Sequence, residues 1–211
     1  MNAHSDPANP LFTVGHSSLE LQVFLALIAQ YGVQMLCDVR SRPASFRFPQ
    51  FNREPLEAGL SSVGIRYEFL GQTLGGRPAD PRVYREDGLV DYAARRRALD
   101  FAEGIDRALV LSRTNVTALM CAEEDPLQCH RFLMICPALL DQGATPAHIR
   151  RGGVLESQRG AEDRLLVLHG FDDVTSTSLF VSGRDAALSD AVVPQSKDVA
   201  FRSSPEAAEY F

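Results

Sequence analysis

No stretch of this 211-residue sequence comes near the about 20 consecutive apolar residues that a bilayer span needs. Nor does Met1–Pro10, which is polar and holds two prolines, contain the apolar core of a secretory signal. The expectation is a protein with no membrane association, working in the cytoplasm. Positive charge is lacking too: the formal net charge is −6, whereas proteins that coat duplex DNA by electrostatics alone are usually basic. Cysteine is sparse. Cys37, Cys121, Cys129 and Cys136 fall on expected strands, helices or site loops, and no C-x-x-C occurs, so neither a disulfide framework nor a zinc ribbon is indicated. Two nucleotide signatures are also missing. Without G-x-x-x-x-G-K-[ST] there is no Walker loop, and without G-x-G-x-x-G a nicotinamide dinucleotide fold has no support, so no cofactor is expected. There is no internal repeat and no low-complexity tract.

What is present is ordinary globular composition, 45% hydrophobic and 23% charged, in a chain long enough for one substantial core. Residues 11–15 are an apolar run ending in glycine, the pattern of a buried strand. Ser17 or Ser18 is a natural cap for the helix that follows, in which Leu19, Val23, Phe24, Leu27, Ile28 and Tyr31 recur at helical spacing and which Gly32 stops. Residues 33–39 read as a second buried strand, and the strand–helix–strand order predicts a right-handed parallel unit. Further strands are expected at 65–70, 116–120 and 147–149. Helices are expected at 54–62, at 91–112 with Arg95–Arg97 on its outer face, and at 127–141. The fold class is therefore α/β: an open, mostly parallel sheet of about five strands with flanking helices, Rossmann-like and three-layered. Three parts are expected: a flexible N-terminus (1–10), the α/β domain (11–151) and a partly irregular C-terminal extension (152–211). In the extension, 164–169 extends a helix or strand, 175–183 is a strand, and roughly the last 20 residues form a mobile tail.

In open parallel sheets, ligands sit beyond the carboxyl ends of the strands. Here three strand ends carry unusually polar loops. The first delivers His16 and Ser17, the second Asp38, Arg40, Ser41 and Arg42, and the fourth Cys121, Glu123, Glu124 and Asp125, with Gln128, Cys129, His130 and Arg131 at the next helix start. His16 reads as a base, an acid or an orienting group, or as a histidine that merely ties down a loop. Arg40 and Arg42, with Arg77 and Arg131, exceed what Asp38 neutralises in a structural bridge, which points to an anionic ligand. Gly75 and Gly76 permit close backbone approach to that ligand. Three roles compete in Cys121–Arg131. Cys121 or Cys129 is a nucleophile with His16 or His130 as base; or Glu123 is the general base or nucleophile; or Cys121, Cys129, His130 and His16 hold a metal. The spacing matches no zinc-ribbon pattern, so no metal is expected. Glu123 is preferred as the chemical group, because acidic side chains seldom merely fill space. Phe46, Phe48 and Phe51, interleaved with Arg47 and Arg53, either fold their loop onto the domain, the preferred reading, or stack single-stranded bases.

The stretches Thr13–Ser17, Asp38–Pro43, Phe51-Asn52, Gly64–Tyr67, Leu74–Gly76, Cys121–Glu123 and Cys129–Arg131 occur in one order, and over about residues 12–149 the chain resembles the domain-of-unknown-function family 488. The resemblance implies an α/β domain found mostly in prokaryotes, and it supports reading the His, Arg, Cys and Glu positions as one site. It implies no reaction. A more distant likeness links Asp38-Val39-Arg40 and the Cys121 loop to rhodanese-type sulfurtransferases, but the acidic run 123–125 is unlike their anion-binding loop. The expected function is an enzyme, hydrolase or transferase, acting on a phosphate-bearing small molecule such as a nucleotide, or on a nucleic-acid end. Glu123, His16, Cys121 and His130 would be catalytic; Ser17, Arg40, Ser41, Arg42, Gly75, Gly76, Arg77, Cys129 and Arg131 would bind substrate. The alternatives are cysteine-dependent sulfur or acyl transfer, and a non-catalytic module binding single-stranded nucleic acid.

Overall fold

Strands with almost no polar residue have no face to give to water, and they form the middle of one sheet. In the computed structural model, which describes residues 9–171 and 181–203, β1 (Leu11–Gly15), β2 (Met35–Asp38) and β4 (Thr117–Cys121) are buried along their whole length. They are flanked by β3 (Arg66–Phe69), half exposed at one edge, by β5 (Ala147–Arg150), and by β6 (Val154–Ser157) at the other edge. The order is β3-β2-β4-β1-β5-β6. The first five are parallel and β6 runs antiparallel to β5.

Helices cover both faces. Helices α1 (Leu21–Ala29) and α2 (Arg53–Ser62) bury Phe24, Ile28, Leu56 and Leu60 against one side. On the other side lie α3 (Gly71–Leu74), α4 (Tyr92–Arg96), α5 (Leu99–Thr114), α6 (Cys136–Asp141), α7 (Gln158–Leu168) and α8 (Val181–Val199). Leu74, Phe101, Ile105, Leu139, Leu165 and Ala187 belong to that second core. This is the expected open, Rossmann-like α/β arrangement, with six strands rather than about five. The additional strand follows Gly152 and Gly153, both in the left-handed region (φ 82° and 78°), which reverse the chain after Arg150.

Other expectations fail locally for identifiable reasons. Neither Ser17 nor Ser18 caps α1; Glu20 occupies that position without a side-chain cap. Ser17 instead takes φ 48° and donates its N–H to the Ala122 carbonyl at 2.8 Å, tying the first loop to the fourth. The helix expected over 91–112 breaks at the extended Ala98 into α4 and α5. The break turns Arg95 inward, where it pairs with Asp100 at 2.6 Å, so it is not on an outer face. The helix expected over 127–141 is three pieces. A 3-10 turn (Pro126–Gln128) precedes an extended Cys129 (φ −143°, ψ 143°), and a π-helical turn (Arg131–Ile135) runs into α6. Pro137 has no N–H to offer the Leu133 carbonyl, which breaks the α-helical ladder there. The strand expected at 175–183 falls mostly outside the described residues, and its last three residues, 181–183, lie in α8. Residues 1–8 and 204–211 also lie outside them. The stretch before Val199, expected as part of a mobile tail, is helical.

Candidate functional site

Because β2, β4 and β1 are neighbours and parallel, the loops that leave them emerge side by side. The ladder continues past the strands: His16 donates its N–H to the Cys121 carbonyl at 3.1 Å, and Val39 to the Met120 carbonyl at 3.0 Å. A cavity of about 810 Å³ opens at this edge. Buried residues form its floor, among them His16, Arg40, Cys121, Cys129 and His130; Glu123 is an exposed residue whose carboxylate turns in to the Cys121 thiol at the edge of that floor. Exposed residues form its rim: Arg42, Phe46, Arg47 and Arg77.

One side of the floor is built on Asp38. Its carboxylate accepts from Arg40 Nη2 at 2.6 Å and Nε at 2.9 Å, and from the Tyr67 hydroxyl at 3.0 Å. Arg40 also donates to the Phe51 carbonyl at 2.8 Å and, through Nη1, to His16 Nε2 at 3.2 Å. His16 donates from Nδ1 to the Ser17 carbonyl at 2.9 Å and stacks on Phe51 with ring centroids 4.1 Å apart. Both ring nitrogens are therefore engaged. Burial first, and the Arg40 charge second, push the His16 pKa down to about 4. This histidine is neutral and locked, so it orients Arg40 and has no free nitrogen with which to take a proton. Arg40 is the arginine consumed by a structural bridge.

The acidic loop divides its labour. Glu124 is held by Arg150 (2.9 and 3.0 Å), and Asp125 by Arg164 (2.7 and 2.9 Å) while also capping the Leu127 N–H. Both carboxyls stay below their ordinary range: the Arg150 hydrogen bond does it for Glu124, and for Asp125 the bonds from Arg164 and Leu127 overcome the opposing effect of burial. Arg131 lies fully buried beneath the loop and donates to the carbonyls of Glu123 (2.6 Å) and Glu124 (2.7 Å) and to Thr13 Oγ1 (3.3 Å). It fixes the loop and does not reach the cavity. Glu123 is the acid left facing the cavity. Its carboxylate accepts from the Cys121 thiol at 3.0 Å, and desolvation, reinforced by charge on Cys129, raises its pKa.

Behind Glu123 stand two thiols and an imidazole. His130 donates from Nε2 to the Val39 carbonyl at 3.1 Å, which leaves Nδ1 facing Cys121 Sγ (3.7 Å) and Cys129 Sγ (3.6 Å). Cys129 Sγ also accepts the Arg131 backbone N–H at 3.5 Å. Burial opposes a thiolate at Cys129, but the Cys121 hydrogen bond, the Arg131 charge and His130 outweigh it, so its pKa falls well below the thiol range. Cys121, which keeps its proton, moves the other way, through the neighbouring Cys129 sulfur and through burial. Cys121, Cys129 and His130 offer donor atoms all within 4.8 Å of one another.

Of the residues singled out in the sequence, His16, Arg40, Ser41, Arg42, Gly76, Arg77, Cys121, Glu123, Cys129 and His130 line the cavity. Ser17, Gly75 and Arg131 stand outside its lining. A Cβ on Gly75 would meet the Gly71 carbonyl oxygen at 2.3 Å, so its smallness serves packing; on Gly76 it would meet the His130 ring at 2.9 Å. The phenylalanines divide: Phe51 is fully buried and folds the loop down, while Phe46 is wholly exposed on the rim. Val199 and Phe201 also line the cavity, Phe201 beneath the Arg77 guanidinium at 4.8 Å. No local pattern marked them, because they come from a distant stretch brought in by α8. Among the described residues no helix is long and apolar enough to cross a membrane. The model of the family described as domain of unknown function DUF488 matches residues 20–135, more than half of the chain. No curated protein and no solved structure matches it.

Proposed function

The chain belongs to the DUF488 family, whose name carries no reaction, and we propose from the cavity's chemistry that it is an enzyme acting on a phosphate-bearing small molecule, a nucleotide or nucleoside derivative. The observation carrying this reading is the division of the cavity into a basic, aromatic rim and a floor bearing one inward carboxylate. Arg42, Arg47 and Arg77 are the rim cations suited to phosphate, and Phe46 and Phe48 offer faces to a base. Glu123 is the proton-transfer group, set beside the thiols and imidazole of the floor. His16 and Arg40 act as positioning residues: the Asp38–Arg40–His16 chain keeps the first two loops in register.

Calorimetric titration with AMP tests the reading. Saturable binding is expected, weakened about tenfold by Arg77→Ala or Arg42→Ala, since each removes a charge-assisted hydrogen bond. Glu123→Gln is expected to bind AMP no more weakly than the parent, because it deletes a negative charge. Absence of saturable binding, or unchanged affinity in both arginine variants, removes the reading.

A second reading, sulfur or acyl transfer by Cys129, is favoured by the Arg131 N–H and His130 Nδ1 that face its sulfur. It predicts iodoacetamide labelling of chelator-treated protein at Cys129 well below the ordinary thiol range of pH. Equal sluggishness at all four cysteines dismisses it.

A further inference from the structure

We infer that Cys121, Cys129 and His130 form a binding site for one zinc-class divalent ion, with a fourth coordination position open to the cavity next to Glu123. The geometry is that of a tetrahedral corner. Zinc binds thiolate at about 2.3 Å and imidazole at about 2.0–2.1 Å, so sulfur and nitrogen on adjacent corners of a tetrahedron lie about 3.5–3.6 Å apart. His130 Nδ1 stands 3.7 Å from Cys121 Sγ and 3.6 Å from Cys129 Sγ. The imidazole is already oriented as a ligand: Nε2 donates its N–H to the Val39 carbonyl and Nδ1 faces both sulfurs, so a metal would take the place of the Nδ1 proton that pairs with the Cys129 thiolate. The Arg131 backbone N–H on Cys129 Sγ is the amide-to-sulfur contact that a coordinated thiolate wants. A Cβ on Gly76 would lie 2.9 Å from His130 Cγ and 3.0 Å from its Nδ1, so a side chain there would push the ring out of place.

The spacing hides this site. Cysteine ligands on one zinc knuckle are usually two to four residues apart, whereas here the 3-10 turn and the extended Cys129 fold the chain back so that Cys129 returns to Cys121. Two thiolates and a neutral imidazole balance a divalent charge, and they are soft enough to prefer zinc over magnesium or calcium. The open corner faces the cavity because all three donors and Glu123 belong to its lining. The metal site stands on these contacts alone. Its use deepens, and rests on, the proposal above: a water at the fourth corner would give one proton to the Glu123 carboxylate and, as hydroxide, form a bond to a phosphorus of the bound substrate while the bond from that phosphorus to the leaving ester oxygen breaks. Glu123 would hand the proton on to that leaving oxygen.

Chelator-treated, reduced full-length protein titrated with Co(II) tests the site. One cobalt per chain is expected, with the intense visible bands of tetrahedral coordination and a sulfur-to-cobalt charge-transfer band, all lost on adding one equivalent of Zn(II). Cys129→Ser and His130→Ala are expected to lose the bands while keeping a native circular-dichroism spectrum; Cys37→Ala, whose thiol lies outside the cluster, is expected to keep them. If those two variants do not fold, Glu123→Gln serves instead, with full cobalt stoichiometry and a shifted visible spectrum. No stoichiometric cobalt in the parent, or an unchanged spectrum in Cys129→Ser or in Glu123→Gln, overturns the inference. Cobalt uptake without AMP binding would keep the metal site and remove the nucleotide reading; AMP binding by a protein that takes up no cobalt would do the reverse.

Discussion

Acidification is expected to start destabilising this protein at about pH 6.5, before carboxylates begin to titrate, through His16 and His148. Both rings are buried and neutral, and both pKa values are pushed down from 6.5 to about 4, by burial first and by nearby arginine second: Arg40 for His16, Arg131 for His148. An unfolded chain returns each to its ordinary value. Between about 6.5 and about 4 the unfolded state therefore binds up to two more protons than the fold, and stability falls as pH falls. Their contribution is complete above the upper limit and lost at the lower one. Each histidine accounts for on the order of 3 kcal/mol across that window, a large share of a typical domain's stability. Around His148 the hydrogen bonds form a one-way chain that suits the neutral ring. Thr13 Oγ1 accepts from Arg131 Nε and donates to His148 Nδ1 at 2.8 Å, while His148 Nε2 donates to Gln158 Oε1 at 3.1 Å. Protonating Nδ1 would force the Thr13 hydroxyl to reverse. Urea midpoints measured across this pH window should fall steeply, and His148→Gln should remove up to one proton from the slope. A flat profile contradicts the assignment of both rings as neutral.

Gly15→Ala should cost about 3 kcal/mol or more and disable the cavity at the same time. A Cβ on Gly15 would sit 1.7 Å from the Glu123 carbonyl oxygen and 2.9 Å from the Glu124 Cα. Both are backbone atoms, so no side chain can swing aside. The loop that would have to move is clamped from below by Arg131 and from outside by Arg150 and Arg164. Either the strand end or the loop gives way, and Glu123 moves with it. The expected result is a lowered urea midpoint together with loss of AMP binding and of cobalt uptake. Wild-type stability in Gly15→Ala would mean that the first and fourth loops do not pack as described. The residue matters for its absence of bulk at a crossing of two chains, not for backbone freedom.

Some of this could be read from residues alone. Strands β1, β2 and β4 were visible because their runs are almost wholly apolar and bounded by polar loops, and the rule that such units are parallel places their carboxyl ends together. That rule is why His16, Arg40 and Cys121 were expected at one edge. Strand β6 escaped because Val154–Ser157 is short and mostly exposed; Gly152-Gly153 alone marked it. Arginines were the harder problem. Arg40, Arg77 and Arg131 look alike in sequence, but Asp38 holds Arg40, the 123–124 carbonyls hold Arg131 and Arg77 lies over the Phe201 ring at the rim, and only the packing decides which goes where. Glu124 and Asp125 find their partners in Arg150 and Arg164, and no charge pattern pairs residues so far apart. The closeness of Cys121, Cys129 and His130 depends on an extended residue and a π-helical turn where helical spacing predicted one regular helix.

The central claim is that the cavity at the carboxyl edge of the sheet takes a phosphate-bearing small molecule above a floor of thiols, imidazole and Glu123. A crystal structure of the protein grown with AMP tests this most directly. The account predicts phosphate oxygens at the guanidinium groups of Arg42 or Arg77, a base against Phe46 or Phe48, and no ligand contact with Arg131. AMP bound elsewhere, or a cavity holding only solvent while AMP is saturating in solution, would contradict it.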